Sequence, residues 1–260
     1  MSAWGRIGAF AMVLLGTYGT AYALGERLPG HSHPGTHSGH VHAAPSLAPP
    51  AFESNGYRLV TDGVVGDTAT FHLESADGTT VTSFDVAHGA LLHTIVIRPD
   101  LSGFQHIHPD IAADGRWQVV LDQPGRWHVV FESTPSGSSS SVVVAANFDD
   151  EQVVEPTPLP APDDEVEVHG LRVTRTGLTF SVVNTDGSQS LDLEPYLGQP
   201  AHLVAIREGD LAYVHLHPQM DMVGGFMFGT DLPQAGTYRV FLQFGHAGEV
   251  LTVPFTVVQS

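Results

Sequence analysis

The chain contains no cysteine and no lysine. Without a thiol there is no disulfide, no Cys-ligated zinc or iron–sulfur cluster and no cysteine nucleophile. Its ten basic residues are all Arg, set against 28 Asp+Glu, for a formal net charge of −18. A surface of that sign repels nucleic-acid phosphates, so no nucleic-acid partner is expected, and it attracts cations. Beyond residue 27 no long stretch carries the period of an amphipathic helix. The 28 Gly and 18 Pro in 260 residues favour a turn-rich, all-β architecture. Enzymatic signatures are missing too. There is no His-Glu-x-x-His motif and no Ser-His-Asp spacing, and neither His-x-His is followed three or four residues later by the Glu that cupin enzymes place there. The expectation is a non-enzyme.

What the chain has in excess is histidine, sixteen in all. "LLHTIVIRPDLSGFQHIHP" (91–109) and "PAHLVAIREGDLAYVHLHP" (200–218) both read His, twelve residues, His, one residue, His, Pro. Shifting the sequence by 109 aligns residues 64–109 with 173–218 without a gap, from Val64/Val173 through Thr70/Thr179, Phe71/Phe180 and Gly89/Gly198 to Pro109/Pro218. After a two-residue insertion, "QPGRWHVVFE" (123–132) matches "QAGTYRVFLQ" (234–243). This is a tandem duplication of a module of about one hundred residues. Short runs such as "TATFHLES", "LLHTIVI" and "GRWHVVFES" alternate with turn signals at Asp77-Gly78 and Asp186-Gly187. The fold expected is two tandem antiparallel β-sandwiches, immunoglobulin- or cupredoxin-like, after an N-terminal hydrophobic helix. The divisions are 1–27, 28–51, 52–150 for the first module, 151–164 for a Pro- and acid-rich linker, and 165–260 for the second module.

Residues 1–27 carry Arg6, then no charge from Ile7 to Leu24, then "AYA" at 21–23. Two readings stand: a cleaved signal peptide, or a retained anchor, since the uncharged run sits at the lower limit for spanning a bilayer. Either puts the remainder outside the cytoplasm, secreted or on the outer face of the cytoplasmic membrane. Residues 28–51 are rich in Gly, Pro, Ser and Ala and read as a disordered linker. It holds His31, His33, His37, His40 and His42, a composition associated with auxiliary metal capture.

On a strand, residues i and i+2 share a face, so His106 and His108 stand side by side with Ile107 turned away. "RPDLSG" supplies the turn. If Ile97 pairs with Phe104, His93 falls directly opposite His108; a two-residue slip sets it opposite His106. Both registers gather three imidazoles, and the same geometry gathers His202, His215 and His217. Clustered protonated histidines repel one another, whereas neutral ones share a metal ion, and imidazole suits copper, zinc, nickel and iron. His88, in "FDVAHGALLH", is the fourth ligand expected in the first module. Asp85 and its counterpart Glu194 are the carboxylates expected behind the ligands. The second module has Leu197 where the first has His88 but adds Met220, Met222 and Met227, thioethers that suit Cu(I) as auxiliary ligands. His72, His128, His169 and His246 lack a partner in the repeat and read as structural or solvated. Each module is expected to bind independently of the other, and binding is expected to weaken below about pH 6 as protons displace the metal.

"HGALLHTIVIRPDLSGFQHIHP" and "LGQPAHLVAIREGDLAYVHLHP" resemble the hairpins of secreted bacterial proteins described as heavy-metal-binding or YtkA-like, and more distantly the CopC-type copper carriers of the periplasm. The resemblance covers roughly 52–260 and is carried by His88, His93, His106 and His108. The pattern departs in lacking a basic residue between the first two histidines, where Ala90 stands. It implies a β-sandwich and a metal-handling role in the cell envelope. The expected ligand is copper, with zinc or another divalent transition metal as the alternative. The expected partner is an envelope metal transporter or oxidase, together with the membrane itself if the N-terminal segment is retained. The competing readings are a tandem sandwich that presents loops to a partner, its histidines forming a pH-sensitive surface, and a three-histidine metalloenzyme.

Overall fold

The computed structural model describes residues 51–87, 89–149, 154–190, 192–229 and 231–260. Residues 1–27, expected as a signal peptide or anchor, the histidine tract and His88 lie outside the described residues. Among the described residues there is no helix, and every strand pairing is antiparallel. The fold is two tandem β-sandwiches.

In the first module, β1 (Glu53–Ser54), β2 (Tyr57–Val65), β3 (Thr68–Ser75), β4 (Phe84–Asp85), β5 (Leu92–Ile97), β6 (Gln105–Ile107), β7 (Arg116–Val120), β8 (Arg126–Pro135) and β9 (Val142–Asp149) follow in order. One sheet runs β1-β2-β3-β7. The other runs β6-β5-β8-β9, with β4 also on β8. In the second, β10 (Glu165–Val168), β11 (Leu171–Thr176), β12 (Thr179–Asn184), β13 (Leu193–Glu194), β14 (His202–Arg207), β15 (Tyr213–Leu216), β16 (Met220–Met222), β17 (Gly225–Met227), β18 (Gly236–His246) and β19 (Glu249–Gln259) repeat the plan. Its sheets are β10-β11-β12-β17-β16 and β15-β14-β18-β19, with β13 on β18. Only the short edge strand β16 is new.

The registers agree with the repeat. Thr94 pairs with Phe131 and its counterpart Leu203 with Leu242, which requires the two-residue insertion read from the sequence. The gapless alignment fails at one end. Leu59 pairs with Leu73, and Val173 with Val182, the counterpart of Leu73. Val173 therefore takes the place of Leu59, not of Val64. The physical cause is hairpin length: β2–β3 extends further and carries a bulge at Thr61/Gly63, whereas β11–β12 turns early at Gly177.

All six residues of β5, "LHTIVI", are buried. A strand covered on one face alternates, and one covered on both reads as a continuous apolar run. Leu92 and Val96 enter the first module's core with Phe71, Trp117 and Phe131. Ile95 and Ile97 point the other way and join Val130, Val204, Ile206, Tyr213 and Phe241 in a third core between the modules. There Phe104 stacks flat on Phe241, centroids 3.9 Å apart. Fully burying one aliphatic or aromatic side chain stabilises by about 1.5–3 kcal/mol, so this seam contributes on the order of 10 kcal/mol before ordering costs. That is enough to hold the β6-β5-β8-β9 and β15-β14-β18-β19 sheets face to face. The interdomain segment is tied in as well, with Leu159 on the seam and the Thr157 amide donating to Asp100 Oδ2 at 2.7 Å.

Candidate metal centre

Strand parity decides where the histidines go. Ile95 pairs with His106 and Thr94 with Ile107, the register that sets His93 opposite His108. In the second module Leu203 pairs with Leu216, which sets His202 opposite His217. His93 Nδ1 lies 3.0 Å from His108 Nε2, and His202 Nδ1 lies 3.2 Å from His217 Nε2. Both triplets lie on the face of Ile95 and Val204, the face that meets the other module.

The six imidazoles therefore form one cluster. Ring centroids of His93 and His215 are 5.2 Å apart, and those of the counterpart pair His106 and His202 are 4.8 Å apart. His93–His217 and His108–His202 are both 6.3 Å. His106 and His215, counterparts of each other, meet at 4.9 Å. These paired distances describe a local two-fold relation running between His106 and His215. The expectation of independent sites is corrected here. Among the described residues, two groups have ligand nitrogens all within 4.8 Å of one another, His93–His106–His215 and His202–His215–His217. The first draws on both modules, and His215 belongs to both groups.

Outer nitrogens orient the rings. A carbonyl only accepts, so His93 Nε2 donates to Ala87 O (3.1 Å) and His202 Nε2 to Tyr196 O (3.0 Å). With Nε2 donating, each of these rings turns its Nδ1 into the cluster. The two carbonyls sit on equivalent tight turns, Ala87–Ala90 and Tyr196–Gln199. Such turns need positive φ at the centre: Leu197 adopts 48°, Gly198 79° and Gly89 85°. Gln243 Nε2 donates to Thr252, so its Oε1 accepts from His106 Nδ1 at 3.1 Å. That leaves the lone pair of His106 on Nε2, a buried atom with no hydrogen-bond partner among the described residues. A buried polar atom without a partner is costly, and a cation would satisfy it.

The spacing fits a metal. Two ligands about 2.0–2.1 Å from a tetrahedral ion stand about 3.3 Å apart. His202 Nδ1 lies 3.1 Å from His215 Nε2 and 3.2 Å from His217 Nε2. One lone pair facing two ring nitrogens is an arrangement that a shared cation completes. Burial, followed by repulsion from His215, His202, His93 and His108, holds His106 well below the usual histidine range. Burial, then His93 and His202, pushes His108 down to about 4. Both are neutral at pH 7, the form that binds metal.

The other expected residues fall as follows. Met220, Met222 and Met227 lie on the β16–β17 hairpin of the outer sheet. Met220 pairs with Met227, and Met220 and Met222 are exposed. Phe226 takes the inward face of that hairpin, so the methionines face away from the core. The expectation that their thioethers stand beside the triplet is corrected: parity on β17 turns them outward. Asp85 is exposed and accepts from Ser136 at 2.8 Å, while Glu194 accepts from the Gly248 amide at 3.3 Å. The carboxylate that reaches the cluster is Glu132, whose Oε2 lies 3.6 Å from His215 Nδ1 and accepts from Tyr213 at 3.4 Å. It sits directly across from His93, as Gln243 does from His202. The signal was present in the matched ends of "HVVFE" and "RVFLQ", but reading it required pairing β5 with β8. His72 lies between Asp62 and Glu74, and His128 bonds Asn147 at 2.7 Å. His169 faces Glu249, and His246 donates to Asp192 O.

A family model described as a domain of unknown function (DUF8832) matches residues 165–260, the second module. No curated protein matches the chain. Among solved structures, the FN1–FN3 domains of chicken CNTN1 are 12% identical, covering 82% of this chain and 69% of that one, at a TM-score of 0.20. A β-glucuronidase of Parabacteroides merdae is 9% identical over 80% of this chain, with a TM-score of 0.20. β-Glucuronidase 3 of Bacteroides uniformis is 9% identical over 79%, with a TM-score of 0.19. The chain spans about a quarter of each glucuronidase, 25% in both. Likeness at this level carries no functional information.

Proposed function

We propose that the chain is a non-catalytic transition-metal-binding protein, holding copper first and zinc as the alternative, through the imidazole cluster between its two modules. It acts as a sink or carrier outside the cytoplasm. The observation that carries this reading is the convergence of six histidines: His93, His202 and His106 each have one nitrogen held, by Ala87, Tyr196 and Gln243 in turn, and nitrogens of His93 and His108, and of His202, His215 and His217, face one another at 3.0–3.2 Å. An all-imidazole donor set suits Cu(II), Zn(II) and Ni(II). The net charge of −18 favours cation approach. The histidine tract at 31–42 and the resemblance to envelope metal proteins support delivery from outside, with an envelope transporter or oxidase as the receiving partner.

The test uses the chain with His31, His33, His37, His40 and His42 all changed to Ala, so that the tract contributes nothing. It is purified metal-free and titrated with Cu(II), Zn(II) and Ni(II). At least one equivalent should bind, with copper tightest. Absence of stoichiometric binding by any of the three would overturn the reading in favour of the loop-presenting sandwich. Turnover of a test substrate by the copper-loaded chain would overturn its non-catalytic part.

A further inference from the structure

The cluster is nearly two-fold in its histidines and not in what stands behind them. Glu132 and Gln243 occupy the same place in the repeat, each opposite the first histidine of its own triplet. Each also reaches across the seam to the middle histidine of the other triplet, Glu132 toward His215 and Gln243 to His106. His215 thus has a carboxylate 3.6 Å behind Nδ1, an ion-pair distance, whereas the Gln243 amide accepts from His106 Nδ1 at 3.1 Å. The rings differ accordingly. His202 and His215 bring nitrogens to 3.1 Å with centroids 5.4 Å apart. The counterpart centroids, His93 and His106, stand 5.9 Å apart, and His106 Nε2 is left without a partner.

Resting on the metal-binding reading, we infer that Glu132 of the first module is the positioning residue that makes His202–His215–His217 of the second module the primary, tighter metal set. A carboxylate behind one ring nitrogen favours the tautomer protonated there and, through its charge, strengthens the other nitrogen as a donor; removing such a partner typically lowers metal affinity 10–100-fold. An amide accepts the same proton but carries no charge, so it fixes the tautomer without strengthening the donor equally. The Glu132 carboxylate accepts from the hydroxyl of the buried Tyr213 at 3.4 Å. Tyr213 and Glu132 come from different modules. The tight set is therefore complete only when the seam is closed, although all three of its imidazoles belong to one module.

The test compares Cu(II) affinity, measured against a competing chelator, in the chain lacking the N-terminal tract histidines and in three variants of it. Glu132→Gln should weaken the first equivalent about 10–100-fold, and the native glutamine at the equivalent position 243 argues that the fold tolerates it. Gln243→Glu should leave the first equivalent unweakened. The exchange variant Glu132→Gln/Gln243→Glu should restore tight binding but move it: His217→Ala removes the first equivalent before the exchange, and His108→Ala removes it afterwards. A merely structural role for Glu132 does not produce that reversal. If the parent binds copper and Glu132→Gln stays within twofold of it, this inference fails alone. If the parent binds no metal, the metal-binding reading fails and takes the inference with it.

Discussion

The two modules share strand order, hairpin register and histidine triplet, yet they differ where they meet. On the seam the first module contributes Glu132 and Phe104, and the second contributes Gln243 and Tyr213. Phe104 stacks on Phe241, while Tyr213 uses its hydroxyl to hold Glu132. Away from the seam, the first module lengthens its outer hairpin and the second adds β16 with its methionines. Duplication thus preserved what brings imidazoles together and varied what polarises them. A triplet on one strand pair supplies its own imidazoles, and the groups behind its middle histidine come from the opposite module.

The comparison can be broken most severely at the seam itself. Phe241 is 5% exposed and stacked on Phe104, so Phe241→Ala should cost about 3–5 kcal/mol in urea unfolding. It should also loosen metal binding, because Glu132 and His93–His106 lose their partners. Destabilisation with unchanged metal affinity would show that the triplets work separately.

His215→Ala comes next. His215 belongs to both close groups, so its loss should weaken the first equivalent more than any other single histidine change and weaken any second as well. His108, half-buried at the rim and in neither group, should matter less in the native protein. Equilibrium dialysis with elemental analysis separates the two, and equal losses would erase the proposed difference between the modules.

Acid gives a smaller, graded effect. His106 and His108 have native pKa values below the unfolded value of about 6.5. Between the folded and unfolded values the unfolded chain holds more protons, so stability of the metal-free protein rises with pH through that window. It is fully present above about 6.5 and falls as pH drops toward 4. Thermal unfolding at pH 7.5 and 5 should show the loss, and His108→Gln should flatten it. Because His108 stays neutral to about 4, its imidazole should continue to bind metal below the pH of about 6 expected from an unperturbed histidine. Release at that higher pH would place the rings in a more solvated setting.

Changing Met220, Met222 and Met227 together to Leu should have the least effect, leaving Cu(II) affinity within about twofold, since these side chains face outward from the other sheet. A large loss would bring the thioethers back to the cluster.

Much of this was legible in the chain. Turn residues and short apolar runs specify the sandwiches, and the period of two fixes which face His106 and His108 share. The sequence leaves two hairpin registers open, and the one found, with Ile95 opposite His106, is the one that sets His93 opposite His108. The seam was hidden because "LHTIVI" is buried on both faces, and a continuous run does not say what covers the second one. Without the seam, Glu132 is one carboxylate among 28 Asp+Glu, Asp85 is the acid that most closely precedes the triplet in sequence, and the triplets read as two separate sites. The alignment of Val64 with Val173 misled for a related reason, since identity in a hairpin of changed length does not preserve pairing.

The central claim is that one cluster, built by both modules, binds the metal. A double-mutant cycle between His106 and His215, one from each module and with centroids 4.9 Å apart, tests it most directly. Cu(II) affinity is measured for the parent, His106→Ala, His215→Ala and the double variant. Groups that serve one site couple by about 0.5–3 kcal/mol, so the double variant should bind clearly tighter than the product of the two single losses allows. Losses that multiply within error would contradict the shared site and return each triplet to its own module.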